Sequence, residues 1–216
     1  MKLIAPLLLF LMPLMLISGE YRVGDHELLL MPTGYTMPKG QSYFSDYELF
    51  LLNYTYAVTP RTHAGVFTLF PITDDFLETF TVGVKQNYYR AEKAAFAVWA
   101  TFTPKISGLT LGNVFSLGKP SNSLHLGISA ATEVDDEGWE FIYMVGYRRD
   151  VSRKVSLIAE YTNFSSFVEE DFNGMISLGL RFRSEDISWE LAGVRPLEST
   201  GDLLFVPLLK ATILIK

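Results

Sequence analysis

Hydrophobic and polar residues alternate along most of the chain after residue 20, and this is the dominant pattern in the sequence. In the segment 173–183, Ile176, Leu178, Leu180 and Phe182 fall on one face, while small or charged residues fall on the other. A period of two is typical of a β-strand with one apolar and one polar face. The same alternation is found in the segments 79–87, 123–130, 154–162, 187–191 and 209–216. The pattern therefore predicts an all-β protein.

Two kinds of connection alternate between these segments and set the number of strands. Short turns are predicted at 59–61, 90–93, 118–122, 149–153 and 184–186, and other connections at 36–41, 71–78, 103–107, 132–138, 165–172 and 196–202. With a first strand near 26–35, they divide the chain into about twelve strands of about ten residues, the length that a tilted strand needs to cross a bilayer. Ten strands is the alternative. An even number places both termini on one side, and the second, acidic set of connections on the other.

The first 19 residues have the features of a secretory signal peptide. Lys2 supplies the positive charge, residues 3–17 are apolar, and Ser18-Gly19 forms a small-residue exit. The apolar run is shorter than the roughly 20 residues of a membrane-spanning helix. We therefore expect a cleaved signal peptide at 1–19 and a single domain at 20–216.

Composition narrows the classes of function. The net charge of −6, without a basic stripe interleaved with aromatic residues, argues against a nucleic-acid partner. The chain has no cysteine, and its three histidines form no cluster with metal-ligand spacing, so we expect no cofactor and no metal. Aromatic residues stand near the predicted strand ends, where they would form girdles at the two membrane interfaces. They are Tyr43, Phe44, Phe70, Phe76, Tyr88, Tyr89, Phe102, Trp139, Tyr147 and Phe164.

Two tight turns and one longer segment carry a resemblance to a known class of protein. They are Tyr56-Ala-Val-Thr-Pro-Arg-Thr62, Tyr147-Arg-Arg-Asp-Val-Ser-Arg-Lys154 and Met31-Pro-Thr-Gly-Tyr-Thr-Met-Pro-Lys-Gly-Gln41. With the amphipathic strands, the mature chain resembles a small, porin-like bacterial outer-membrane β-barrel. The resemblance implies a closed antiparallel transmembrane β-barrel in the bacterial outer membrane, with outer-membrane lipids, lipopolysaccharide and the barrel-assembly machinery as partners. Such barrels usually end in an aromatic residue, whereas this chain ends in Ile213-Leu214-Ile215-Lys216.

The polar faces of the strands would line the lumen of such a barrel. Under the predicted register, the charged residues on these faces are Asp46, Glu48, Lys85, Lys154, Glu160, Arg181, Arg183 and Glu190. Unpaired charges inside a narrow barrel are costly. These residues therefore predict either an acid–base network that fills the interior or a selectivity filter whose basic side selects anions. The expected function is a structural protein or a channel for small solutes, not an enzyme.

Two alternatives remain open at this point. One is a membrane-embedded hydrolase centred on His125, because Ser123 and Ser129 lie on the same predicted face and could pair with it as nucleophiles. The other is a soluble periplasmic β-sandwich or lipocalin-like binder, in which the apolar faces turn inward as a core. Periodicity alone does not separate a sandwich from a membrane barrel.

Overall fold

The computed structural model describes residues 21–48, 51–69, 76–133, 138–163, 174–197 and 205–216, and shows twelve antiparallel strands in one closed barrel. Each strand pairs with the next, and the last pairs with the first. The strands are β1 (Ser42–Tyr47), β2 (Leu51–Thr59), β3 (Thr62–Leu69), β4 (Thr81–Ala91), β5 (Ala94–Thr103), β6 (Gly108–Lys119), β7 (Asn122–Glu133), β8 (Glu140–Asp150), β9 (Val155–Thr162), β10 (Met175–Arg183), β11 (Ile187–Pro196) and β12 (Val206–Ile215). The predicted all-β barrel of twelve strands is confirmed.

Two short helical turns lie in connections between the strands. They are the helix α1 (Phe76–Thr79) and a 3-10 turn (Pro104–Ile106). Neither of these described helices has the length and apolar character that a membrane crossing requires.

The register gives the barrel two distinct ends. Ser42 at the start of β1 lies opposite Ile215 at the end of β12, and both lie at the end that carries the turns 60–61, 92–93, 120–121, 151–154 and 184–186. We call this the near end, and the opposite end the far end. The ladder thus begins and finishes at the same end, as an even number of strands requires.

The predicted first strand near 26–35 is wrong. The barrel begins at β1, and the expected single strand between 41 and 59 is divided at Glu48, which has a left-handed φ of 57°. One predicted strand is lost and one is gained, so the total is unchanged. Pro32 and Gly34 explain the loss, because proline cannot donate to a ladder and glycine weakens a strand interior. The connection at 36–41 consequently lies at the near end, and not among the far-end connections.

The apolar faces of the strands point outward. Phe141, Leu178 and Leu191 are 53%, 48% and 57% exposed, and the neighbouring strands continue this apolar surface. The hypothesis of a soluble sandwich with an inward apolar core is therefore wrong. A closed barrel with such an exterior satisfies its backbone groups internally, as a lipid environment demands. Of the predicted girdle residues, Tyr89, Phe102, Trp139 and Tyr147 are exposed, Phe70 and Phe164 lie outside the described residues, and Tyr43 faces inward and stacks on His26.

Residues 21–37 fold back into the barrel and fill much of its lumen. Glu27 and Pro32 form an isolated antiparallel bridge, and the amide of Leu28 donates to the carbonyl of Met31 over 2.8 Å. We call residues 21–37 the plug hairpin and residues 28–31 its tip. Leu28, Leu29 and Met31 are buried in one apolar cluster with wall residues of several strands. The lumen-facing Gly146 permits this approach, since a Cβ there would stand 2.3 Å from Leu28 Cδ1.

Candidate functional site

Buried cations of the barrel wall hold the carbonyl groups of the plug hairpin. Arg181 on β10 donates from Nη2 to the carbonyls of Glu27 and Leu28, over 3.0 and 2.8 Å, and from Nη1 to the carbonyl of Gly24. Lys210 on β12 donates to the carbonyls of Leu28 and Leu29 over 3.2 and 3.0 Å. Hydrogen bonds with a charged partner are the stronger kind. One side of the wall therefore binds the tip through its backbone oxygens.

A lysine on β4 holds the other side of the hairpin. Lys85 Nζ donates to the carbonyls of His26, Thr33 and Tyr35 over 2.9, 3.2 and 3.0 Å. An ammonium group has three donors. All three are therefore used by the hairpin.

Glu160 on β9 binds the amide groups at the tip. Its carboxylate accepts from the backbone N–H groups of Leu29, Leu30 and Met31, with distances of 2.6, 3.1 and 3.3 Å. Both kinds of backbone group at the tip are thus bound by charged side chains: cations bind its carbonyls and a carboxylate binds its amides. This arrangement satisfies backbone groups that would otherwise be buried without partners.

The two acidic side chains of the hairpin form ion pairs with the wall. Asp25 Oδ1 lies 2.7 Å from Arg148 Nη1 and 3.9 Å from Arg183 Nη2. Burial raises the pKa of the Asp25 carboxyl, but the neighbouring guanidinium groups outweigh this and leave the pKa below its usual value. Glu27 Oε1 lies 2.8 Å from Lys210 Nζ and 3.1 Å from His26 Nε2. Burial raises the pKa of this carboxyl, but Lys210, His26 and the hydrogen bonds that they donate together outweigh burial and hold the pKa well below its usual value. Both side chains are therefore bound as carboxylates.

The charges of the wall and of the hairpin complement each other. The wall residues that contact the hairpin or its partners comprise five cations and three carboxylates, and the hairpin adds the carboxylates of Asp25 and Glu27. The cations are Lys85, Arg148, Arg181, Arg183 and Lys210, and the wall carboxylates are Asp150, Glu160 and Glu190. The hairpin also carries Arg22, which pairs with Asp150 over 2.6 Å and is one-third exposed. Without the hairpin, this part of the wall has an excess of positive charge.

The structure places the predicted lumen charges in two groups. Lys85, Glu160, Arg181, Arg183 and Glu190 lie on the lumen face, where Arg181 Nε binds Glu190 Oε1 over 2.6 Å.

The other three predicted residues lie elsewhere. Asp46 is on the outward face in register with Ala211, because its neighbours Ser45 and Tyr47 face inward. Glu48 is exposed just after β1, and Lys154 is exposed in the turn 151–154. The division of the predicted strand at Glu48 accounts for the wrong placement of Asp46. Lys154 was placed wrongly because β9 begins after the turn 151–154, one residue later than predicted.

Sequence reasoning missed several members of the network. Arg148, Asp150 and Lys210 lie on the inward faces of β8 and β12, and Lys210 already stood on a predicted polar face. Extending the alternation to every charged residue of these two strands could have found them. Asp25 lies just before the predicted first strand at 26–35 and Glu27 lies within it, and no pattern there indicated a segment inside the lumen.

His125 has a structural role in holding the hairpin. It is buried on β7, with Nδ1 2.7 Å from Ser116 Oγ and Nε2 2.8 Å from Ser123 Oγ. Ser116 Oγ also accepts from the amide of Gly34 over 2.7 Å. Within the described ranges, no carboxylate contacts His125, Ser129 does not reach it, and no group of three acidic or histidine side chains could hold a metal ion. A hydrolase would need an accessible nucleophile here.

Comparison with known proteins finds similarity at the level of fold. No family model and no curated protein matches the sequence. A membrane protein solved in work on in-meso crystallization has a TM-score of 0.51 at 9% identity, over 82% of this chain and 83% of that one. The fold is that of a membrane β-barrel. The closed antiparallel β-barrel that the resemblance implies is confirmed as the fold.

Two other similar structures are an outer-membrane protein and a porin. Omp33 of Acinetobacter baumannii has a TM-score of 0.46 at 11% identity, over 80% of this chain and 95% of that one. A mutant of the Rh. blastica porin has a TM-score of 0.44 at 8% identity over 78% of this chain. This chain spans 56% of the length of that porin.

Proposed function

We propose that the protein is an outer-membrane channel for small solutes, and that the plug hairpin closes it. The observation that carries the proposal is the binding of the hairpin by wall charges from both sides of the lumen. The apolar exterior supports a position among outer-membrane lipids and lipopolysaccharide, reached by way of the signal peptide at 1–19 and the barrel-assembly machinery.

The orientation of the hairpin allows it to leave the lumen through the near end. Both of its ends are near the turns of the near end, since Arg22 pairs with Asp150 at the end of β8 and the hairpin leads into the start of β1. The hairpin can therefore leave as a loop, without threading a chain end through the lumen. Its departure exposes the excess wall cations, so that the open channel favours anions.

A reversible disulfide between the tip and the wall tests this mechanism. The natural chain has no cysteine, and a Cβ at Gly146 would lie 2.3 Å from Leu28 Cδ1. Replacing Leu28 and Gly146 together by cysteine puts thiols on two residues that are in contact, where oxidation can join them. In planar bilayers, we expect channel openings under reducing conditions, their loss on oxidation and their return on reduction.

Matched controls make the result specific to the hairpin. The single variant Leu28→Cys should show openings that do not respond to oxidation. Openings that persist in the oxidised double variant would refute closure by the hairpin, and no openings in the reduced protein would favour a purely structural barrel. Recovery in the outer-membrane fraction, with a heat-dependent shift on gels, tests the location.

A further inference from the structure

A cavity of about 450 Å³ lies beside the plug hairpin, against the wall formed by β1 to β5. The strand register explains why the wall recedes there. Thr55, Gly65, Gly83 and Thr101 stand side by side on β2 to β5 and face the lumen. Two neighbouring glycines at the centre of this row leave space that side chains fill elsewhere in the lumen. The trough over this glycine pair is the centre of the cavity.

Aromatic rings border the trough on both sides. Phe67 lies two residues beyond Gly65 towards the far end, and Trp99 lies two residues before Thr101 towards the near end. Tyr43 and Tyr47 of β1 complete the lining next to the hairpin. Aromatic rings offer an apolar face together with a polar edge. The cavity can therefore receive a ligand that has both apolar and polar surfaces.

The charged groups that line the cavity are already paired. Lys85 uses its three donors on hairpin carbonyls, and Glu27 binds Lys210, Ser45 and Tyr47. Among the lining residues that the structure describes, none of these charges is left for a ligand. A charged ligand would lose water without gaining a counter-charge, and that transfer is costly. The cavity is therefore suited to an uncharged ligand.

Neutral donors remain in the same place. Neither the indole N–H of Trp99 nor the hydroxyl of Thr101 has a hydrogen-bond partner in the described part of the chain. We propose that the cavity binds a small uncharged polyhydroxylated solute of the sugar class, with its apolar face against an aromatic ring and its hydroxyls bound by Trp99 and Thr101. This site belongs to the closed barrel with the hairpin docked, and it rests on the proposed channel only for the route by which the solute reaches the cavity.

Tryptophan fluorescence of the full-length barrel in detergent tests binding without any transport. The other tryptophans, Trp139 and Trp189, are exposed on the outside. Replacing both by phenylalanine leaves Trp99 as the reporter. The probes are glucose, glucuronate and glucosamine, which share the pyranose ring but are neutral, anionic and cationic. We expect a saturable change with glucose, and much weaker responses with the two charged probes.

Two variants connect the signal to the cavity. Thr101→Val removes one hydroxyl at constant shape and should weaken glucose binding roughly two- to tenfold, while Thr101→Ser retains it. Gly83→Val fills the trough, because a Cβ there already lies 3.1 Å from Thr101 Cγ2, and should abolish binding. No saturable response to glucose, or an equal response to glucuronate or glucosamine, would overturn the proposal. Binding without any conductance in the disulfide experiment would retain the site and reject the channel, and the reverse outcome would do the opposite.

Discussion

Replacing Arg181 by methionine should release the plug hairpin while leaving the barrel intact. Arg181 is fully buried and donates to three hairpin carbonyls as well as to Glu190. Removing one partner of a buried charged network costs about 3–5 kcal/mol. If this cost falls on the docked state, the ratio of undocked to docked hairpin rises roughly a hundred- to a few-thousand-fold, since 1.4 kcal/mol is a factor of ten. Single-channel recording should show a large rise in open probability.

Two control variants separate release of the hairpin from damage to the wall. Arg149→Met removes an exposed arginine beside a near-end turn and should leave the open probability unchanged. The double variant Arg181→Met with Glu190→Gln leaves no carboxylate at the vacated position, and should still open. An unchanged open probability in Arg181→Met, in a barrel that keeps its heat-dependent gel shift, would refute the role assigned to the hairpin.

Three further predictions concern the plug hairpin and the exterior of the barrel. A chain without residues 21–37 should give a persistent anion-selective conductance, measured as the reversal potential in a salt gradient; cation selectivity would contradict the charge balance. The lowered pKa values of Asp25 and Glu27 mean that their contribution to docking is complete above the usual carboxyl pKa of about 4 and is lost as the pH falls through the lowered values. Openings should therefore increase in strong acid but not between about pH 6 and 8. Leu191→Arg on the outer face should destabilise the barrel in lipid by about 2–4 kcal/mol in urea unfolding, and an unchanged midpoint would contradict a lipid-facing position.

The exterior of the barrel could be predicted from the sequence because its signal is local. The alternation of Leu178, Leu180 and Phe182 identifies a strand and its apolar face within a few residues. Whether that face lies outside or forms a core depends on how the whole sheet closes. The pairing of β1 with β12 closes the sheet, and the exposed side chains of Leu178 and Phe182 place the apolar face on the outside.

The plug hairpin could not be predicted because its partners are remote in sequence. Leu29 is bound by Glu160, 131 residues later, and its carbonyl is bound by Lys210, 181 residues later. Its own residues 28–31 are four consecutive apolar residues, which are typical of a short buried strand. Periodicity describes how a segment presents its side chains to a surface. Periodicity does not predict the position of a segment whose backbone groups are bound by side chains of several remote strands.

Because the hairpin enters the barrel from the near end, its resistance to force depends on the direction of that force. A load on the tip from the far end presses on the contacts of Leu28, Leu29 and Leu30 together, so they resist in parallel. A pull on the chain at Tyr21 from the near end instead loads Arg22 first, then Asp25, and only then the tip, so the contacts break one after another. Forced release is governed by the rate of each opening step. The closed barrel is therefore mechanically strong towards one side of the membrane and weak towards a pull from the other.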